Sequence, residues 1–433
     1  MTTATLSQAM PTRRTLGEGI SAAGWAVALG LLSGMACVGV RVALRMLQWV
    51  FVQHTGLLPE AAATLAPGRR LLTPLLGAVC ATAVLWAARR WAQASRFREY
   101  VEAVRFENGR IPFSSTLWRT VSSAFSVATG AAIGREGSMI QFAAAVTSWV
   151  GERSPIRSIS LPRQVAYGAA AAVAAAYQAP IAGVFFALEI VLGEWVWVEV
   201  PQLLLASTAG WLVSRLLLGQ TLLFVVPKTM PLSGEVLWAL PLALAFGVLG
   251  PLYQKLLRSA RFARRLPVAL VWSGLLVGLL SLRYPAVWGN GDVALSNILQ
   301  GKAVLLSIAA VLVVRLVATS FCVGTGTVGG VFTPTLFAGA ALGAEAGYLL
   351  HLSQPLFVAV IGMSALMAAV THAPFMAALM AVELTGEWHL LPILLLCNLV
   401  AWLAARTLSS YSLYGIASPE PLLTGNKGIV RND

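Results

Sequence analysis

Gly134-Arg135-Glu136-Gly137 interrupts two apolar runs, residues 121–133 and 139–150, in a chain that is otherwise strongly hydrophobic. A charge held at membrane depth costs about 2.5–3.5 kcal/mol on insertion scales, so an ionisable side chain kept there is first read as functional. Glu136 is therefore the residue to explain, and the reading of its surroundings decides the fold.

The 433 residues are 58% hydrophobic and only 11% charged, with a mean hydropathy of +0.77. A soluble globular chain carries about 25% charge, which leaves a polytopic membrane protein. Apolar stretches lie near 18–40, 71–88, 118–150, 164–192, 201–226, 236–253, 266–282, 303–323, 331–350, 355–385 and 390–405. Most reach the roughly 20 residues that cross a bilayer as helix. Lipid-facing backbone must be helical or closed into a barrel, and these runs lack a period of two, so the expected class is an all-α bundle. Glycines and prolines break several runs, which marks non-helical backbone buried in protein.

The net charge of +13 does not point to nucleic acid, because the basic residues sit in short connections. Segment 255–265 carries Lys255, Arg258, Arg261, Arg264 and Arg265 with no acid, and segment 89–110 carries six arginines against three glutamates. Both are expected on the cytoplasmic side. Arg13 and Arg14 precede an apolar run too long for a signal-peptide core, which reads as a retained first helix. Cys37, Cys80, Cys322 and Cys397 are scattered singly and read as packing residues; neither they nor the four histidines indicate a metal site. Arg315 and Glu345 read as interface or loop-end charges.

Self-comparison reveals an internal repeat. Arg69-Arg70-Leu71 recurs as Arg264-Arg265-Leu266 at a shift of 195, and Gly134 maps to Gly329 at the same shift, which places Val331 opposite Glu136. Ala179-Pro180 with Glu189 recurs as Ala373-Pro374 with Glu383 at a shift of 194. The charge bias orients the halves: 71–88 leads into a basic segment, whereas its counterpart 266–282 leaves one, so equivalent helices point opposite ways. Inverted repeats with discontinuous helices are a transporter architecture, with the substrate near the midplane where broken helix ends converge. Segments 134–138 and 324–334 are that expected centre.

Residues 324–334, GTGTVGGVFTP, form a glycine-rich break that opens a new apolar helix with proline in its first turn. Free N–H groups and the positive dipole end at such a terminus favour an anion. The alternative reading of these glycines is close packing of small residues between helices. Gly134–Gly137 offers the same geometry from the other half, so two helix N-termini face one anion. Glu136 at such a terminus is a competitor for that anion: ionised, it occupies the donors, and protonated, it releases them. One side chain then gates the anion and carries the proton. The bland alternative, pairing with a basic neighbour, finds only Arg135, which does not face Glu136 on a helix. Glu189 and Glu383 are open to a capping role or a functional one.

These residues resemble the CLC family of chloride channels and proton/chloride antiporters, most of all a bacterial ClcB-type branch. Gly134–Gly137 is similar to that family's GREGP segment, Gly329–Pro334 to its GGxFxP segment, and Tyr414 to its central tyrosine; the likeness covers about residues 18–416. The resemblance implies a homodimer with a pore in each subunit and about eighteen helices in two inverted halves. It implies Glu136 as the external gate, backbone N–H groups of Val331 and Phe332 with those of Arg135 and Gly137 around the anion, and the Tyr414 hydroxyl completing the site. The expected organisation is a cytoplasmic tail over 1–17, repeats over 18–225 and 235–412, a linker over 226–234, and a C-terminal segment over 413–433 without the CBS pair of many eukaryotic relatives.

The sequence departs from the family pattern in three places. The family's GSGxP region reads here as Ala94-Ser95-Arg96-Phe97-Arg98, so only Ser95 stands at a suitable distance for the inner anion contact. Ser138 replaces the proline of GREGP. Glu189 is followed by Ile190, where well-known antiporters carry a second glutamate that accepts protons from the inside, and Glu189 is the nearest substitute.

The expected function is chloride transport, as a proton-coupled antiporter gated by Glu136 or alternatively as a passive channel. Chloride and protons are the partners, with membrane lipid and a second copy of the chain and no nucleic acid. No cofactor is expected, and the location is the bacterial inner membrane with both termini cytoplasmic. An intramembrane enzyme would need a nucleophile with its base or a metal motif, and the chain has no HExxH, GxSxG or P-loop.

Overall fold

The computed structural model describes residues 16–91, 97–154, 159–219, 223–227 and 233–415. The first half runs α1 (Leu16–Val52), α2 (Leu58–Thr64), α3 (Pro67–Trp91), α4 (Tyr100–Phe106), α5 (Phe113–Ala128), α6 (Glu136–Gly151), α7 (Leu161–Tyr177), α8 (Pro180–Phe186) and α9 (Val200–Leu218). A π-helical stretch, Ala187–Leu192, extends α8. The second half runs α10 (Ser233–Ser259), α11 (Ala269–Arg283), α12 (Asp292–Leu299), α13 (Leu305–Thr325), α14 (Phe332–Leu349), α15 (Pro355–Thr371), α16 (Pro374–Thr385) and α17 (Leu391–Leu408), ending in a short 3-10 turn at Leu413–Gly415. Among the described residues there is no strand, and the all-α expectation holds. Among the described residues, six helical stretches are long and apolar enough to cross a membrane: Gly19–Val52, Pro67–Trp91, Trp197–Leu218, Val236–Arg265, Leu305–Thr325 and Trp388–Leu408.

The centre of the bundle consists of helices that are apolar on every side. All the alanines of α7 from Ala169 to Ala176 are at most 3% exposed, and α15 is buried from Phe357 to Thr371. A helix buried all round needs thin neighbours, and small residues supply them. A Cβ on Gly30 of α1 would sit 2.3 Å from the Ala206 carbonyl oxygen of α9, and one on Gly339 of α14 would sit 2.3 Å from that of Gly362 in α15.

Helix breaks recur at equivalent places in the two halves. α7 ends on Gln178 in the left-handed conformation (φ 57°, ψ 33°), and α15 ends on His372 in the same one (φ 58°, ψ 32°). Ala179 and Ala373 follow with matching dihedrals, φ −126°, ψ 78° and φ −127°, ψ 77°. Each precedes a proline that disfavours helix for its predecessor and suits the first turn of the next helix, Pro180 of α8 and Pro374 of α16. The single apolar stretch 118–150 likewise divides into α5 and α6. There Gly130 takes φ +107°, with the Trp288 ring so close that a Cβ would lie 2.5 Å from it.

The structure corrects the register of the repeat at its centre. α6 begins at Glu136 and α14 at Phe332, so these two positions are equivalent, rather than Glu136 and Val331. Gly134 pairs with Gly330, not Gly329. Residue identity selects the first of two consecutive glycines, whereas equivalence in space follows the helix start. The tail 1–15, part of the linker and residues 416–433 lie outside the described residues.

Candidate functional site

The site forms where α6 and α14 begin side by side. Gly134 N–H donates to the Gly330 carbonyl at 2.6 Å and Gly330 N–H donates to the Gly134 carbonyl at 2.7 Å. This two-bond pair locks the chain ends together just before each helix. Helix geometry leaves the first N–H groups of each without an intrahelical acceptor. Those of Glu136 to Ser138 and Phe332 to Pro334 thus open from neighbouring turns, with proline giving up a donor that could not have been used inside the helix.

A cavity of about 140 Å³ lies against these termini, lined by Gly137, Ser138, Gly329, Gly330, Val331, Phe332, Tyr100, Tyr177 and Tyr414 among others. That is several times the roughly 30 Å³ a water molecule occupies in the liquid. The lining continues to Phe97, Glu99, Arg119 and Arg264, the last in the basic segment expected on the cytoplasmic side. The ring of Tyr414 packs edge-on against Tyr100 at 6.4 Å and Phe186 at 5.7 Å, closing one wall. Tyr177 packs on Phe332 with ring centroids 5.0 Å apart, and its hydroxyl lies 3.4 Å from Thr333 Oγ1.

A second, smaller cavity of about 50 Å³ is lined by Gln48, Leu58, Arg135, Gly289, Asn290 and Asp292 among others. Ile133 is the one residue common to the two linings. Glu136 lines neither cavity, and it is 4% exposed. Its carboxylate lies beside the wall of the smaller cavity: Oε1 accepts at 2.9 Å from Nδ2 of Asn290, which lines that cavity, and Oε2 lies 2.6 Å from where a Cβ on Gly134 would be. Gly134 therefore leaves the room in which this carboxylate sits.

Of the site residues expected from sequence, Gly137, Val331, Phe332 and Tyr414 are brought together around the larger cavity, whereas Arg135 lines the smaller one and Glu136 lies buried between Arg135 and Gly137 in the chain. Ser95 lies outside the described residues. Arg135 does approach Glu136, Nε to Oε1 at 3.6 Å. The helical facing rule failed because Arg135 caps α6 rather than belonging to it. Arg135 also reaches Asp292 Oδ2 at 3.9 Å.

Glu189 lies elsewhere. Its carboxylate accepts from the N–H groups of Phe375 at 3.3 Å and Met376 at 2.7 Å, in the first turn of α16. Glu383 of α16 returns the arrangement, accepting from Ile181 at 3.0 Å and Ala182 at 2.7 Å in α8. The two carboxylates thus cap each other's helices, and Glu189 is not among the residues lining the larger cavity.

Two residues around Glu136 and the loop beside it escaped the sequence reading. One is Asn290, between Gly289 and Gly291. Arg315, read as an interface or loop-end charge, is instead 1% exposed inside α13. It donates to the carbonyls of Ala286 at 2.8 Å, Val287 at 3.2 Å and Gly289 at 2.9 Å, so a buried guanidinium holds the loop that carries Asn290. Glu345 lies near the C-terminal end of α14.

Comparison with known proteins agrees with this geometry. A family model described as voltage gated chloride channel matches residues 77–406. The voltage-gated ClC-type chloride channel ClcB of Citrobacter koseri is 36% identical over 408 residues, covering 90% of this chain and 97% of its own. ClcB of Escherichia coli O9:H4 is 36% identical over 410 residues, covering 90% and 96%. Among solved structures, a slow cyanobacterial Cl⁻/H⁺ antiporter superposes with a TM-score of 0.78 at 24% identity, covering 91% of this chain and 96% of that one. A CLC-type fluoride/proton antiporter superposes with a TM-score of 0.77 at 20% identity, covering 93% and 99%. These two likenesses concern the fold. With its family match, its ClcB relatives and its paired helix termini, the chain belongs to the voltage-gated chloride channel family, the CLC proteins.

Proposed function

We propose that the chain moves chloride across the bacterial inner membrane as a proton-coupled antiporter, with Glu136 as both anion gate and proton carrier. The observation that carries this reading is the position of Glu136, buried at the start of α6 between Arg135, which lines the smaller cavity, and Gly137, which lines the larger, with the start of α14 paired alongside. Chloride in the larger cavity is held by N–H groups of Gly137, Val331 and Phe332 and by the Tyr414 hydroxyl. An ionised Glu136 carries the same charge as the anion and competes for the same donors. On protonation the repulsion ends and the side chain yields, so anion passage follows proton binding. Apart from the proton that Glu136 takes up and gives back, no bond on the protein is made or broken, in keeping with a family of transport proteins rather than enzymes.

The working unit is a homodimer with one path per subunit and both termini in the cytoplasm, a reading supported by the family likeness and by the basic segments at 89–110 and 255–265. A second reading, a passive chloride channel, has a specific observation in its favour. Ile190 stands where an inner acid would stand, and Glu189 is engaged at the start of α16.

Reconstituted protein under crossed chloride and pH gradients separates the two. Antiport shifts the reversal potential away from that of chloride alone, and a proton gradient drives chloride uphill. Chloride flux that stays at the chloride equilibrium potential whatever the pH gradient overturns the antiporter and leaves the channel.

A further inference from the structure

We propose that Asn290 is a positioning residue for the gate: its side-chain amide, on the wall of the smaller cavity, latches the ionised Glu136 carboxylate and so sets the pH at which the gate opens. This inference rests on the gating role of Glu136 and adds a residue that acts through it.

The latch is fixed from three sides. Asn290 is 7% exposed and donates from Nδ2 to Glu136 Oε1 at 2.9 Å. Its Oδ1 accepts the N–H of Asp292 at 3.2 Å. The acceptor end of the amide is thereby committed to backbone, which assigns the NH₂ end to the carboxylate. The loop is held in turn by Arg315 through the carbonyls of Ala286, Val287 and Gly289, and by Gly289 N–H on the Gly130 carbonyl at 3.2 Å. A Cβ on Gly291 would lie 2.9 Å from Arg315 Nε, so loop and guanidinium are in close contact. Asn290 therefore cannot drift with the gate. When Glu136 swings away, the amide stays behind as a return point.

An amide donor favours the charged carboxylate over its protonated form, because the bond to an ionised acceptor is the stronger one. The other groups facing Glu136 are Arg135 on its own segment, Arg41 of α1, Tyr177 of α7, and Asp292 of α12 through Arg135. Two cations are thus present in any variant of Asn290. Loss of the amide raises the pH at which Glu136 takes up its proton. Chloride flux, which rises as the pH falls, then rises at higher pH.

The test is the pH profile of chloride flux from vesicles of the reconstituted full chain. Asn290→Asp keeps the shape and the acceptor for Asp292 N–H but replaces the donor by a second carboxylate; Asn290→Ala removes both ends. The midpoint moves upward by about one pH unit in Asn290→Ala, a tenfold change in proton affinity, and further in Asn290→Asp. In the Glu136→Gln background neither substitution moves the profile. A midpoint that is unchanged or lower in both variants overturns the latch while leaving the gate. A comparable change in chloride flux in the Glu136→Gln background, where flux no longer depends on pH, also overturns it, since the effect is then structural. No pH dependence in the unsubstituted chain overturns the gate, and the latch with it.

Discussion

Gly134 and Gly330 hold each other by both of their backbone hydrogen bonds, at 2.6 and 2.7 Å, and this pair sets the separation of the two helix starts. The approach depends on missing side chains. A Cβ at Gly137 would lie 2.7 Å from the Gly330 Cα and 2.8 Å from its nitrogen, and backbone atoms cannot step aside as a side chain can. The glycines are thus required by contact, and their conformational freedom is secondary here.

Gly137→Ala tests that relationship. The added methyl forces α6 and α14 apart, with an overpacking cost of about 1–3 kcal/mol. Thermal unfolding of the purified protein shows a lower midpoint, and chloride flux falls at least about tenfold as N–H groups leave their places around the anion. Unchanged stability and flux together would mean that the two helix starts are not held at contact.

Glu136→Gln removes the charge and keeps the shape. Chloride flux persists and loses its pH dependence, while proton movement stops, as read by a pH electrode and a chloride electrode on the same vesicle suspension. Competition is an effect of charge, so the neutral amide no longer repels the anion. Retention of the pH profile in this variant would transfer the gating role to another group.

The bundle was legible because bilayer physics leaves a strong mark: apolar runs of spanning length, basic connections, and Gly-Pro interruptions where helices break inside the protein. The same logic located 134–138 and 324–334. What it missed lay in contacts between segments distant in sequence. Asn290 reaches Glu136 across 154 positions, and nothing local separates an asparagine that latches a carboxylate from one that only turns the chain. Arg315 was misread because a lone cation in an apolar run is expected at an edge, whereas three carbonyls of a distant loop compensate it in the interior. The one-residue slip in the repeat arose in the run Gly329-Gly330, where identity alone cannot choose between neighbours.

Glu189 and Glu383 give a matched pair of predictions because their capping geometry is nearly the same. If both are caps, Glu189→Ala and Glu383→Ala each expose two N–H groups at a helix start and cost about 1–3 kcal/mol, with similar effects on unfolding. Both variants that fold keep the same ratio of protons to chloride. If Glu189→Ala alone abolishes proton movement while Glu383→Ala spares it, Glu189 is the inward proton acceptor and its capping bonds are incidental.

Arg315→Lys tests whether the loop under Asn290 must be held firmly for the gate to keep its pH setting. The guanidinium divides its donors between two nitrogens that bond Ala286 and Val287 on one side and Gly289 on the other. A lysine keeps the charge but is a single point, and it cannot reproduce that fork. Losing at least one charge-assisted bond costs about 1.5–3 kcal/mol, which lowers the thermal midpoint. The loosened loop lets Asn290 withdraw from Glu136 part of the time, so the midpoint of pH-dependent chloride flux moves upward, by less than in Asn290→Ala. The double substitution Arg315→Lys with Asn290→Ala adds no further pH shift, because the amide through which Arg315 acts is already gone. A pH shift that adds in the double variant would show Arg315 acting on Glu136 by another route, such as its charge, and a thermal loss with no pH shift would confine Arg315 to the fold.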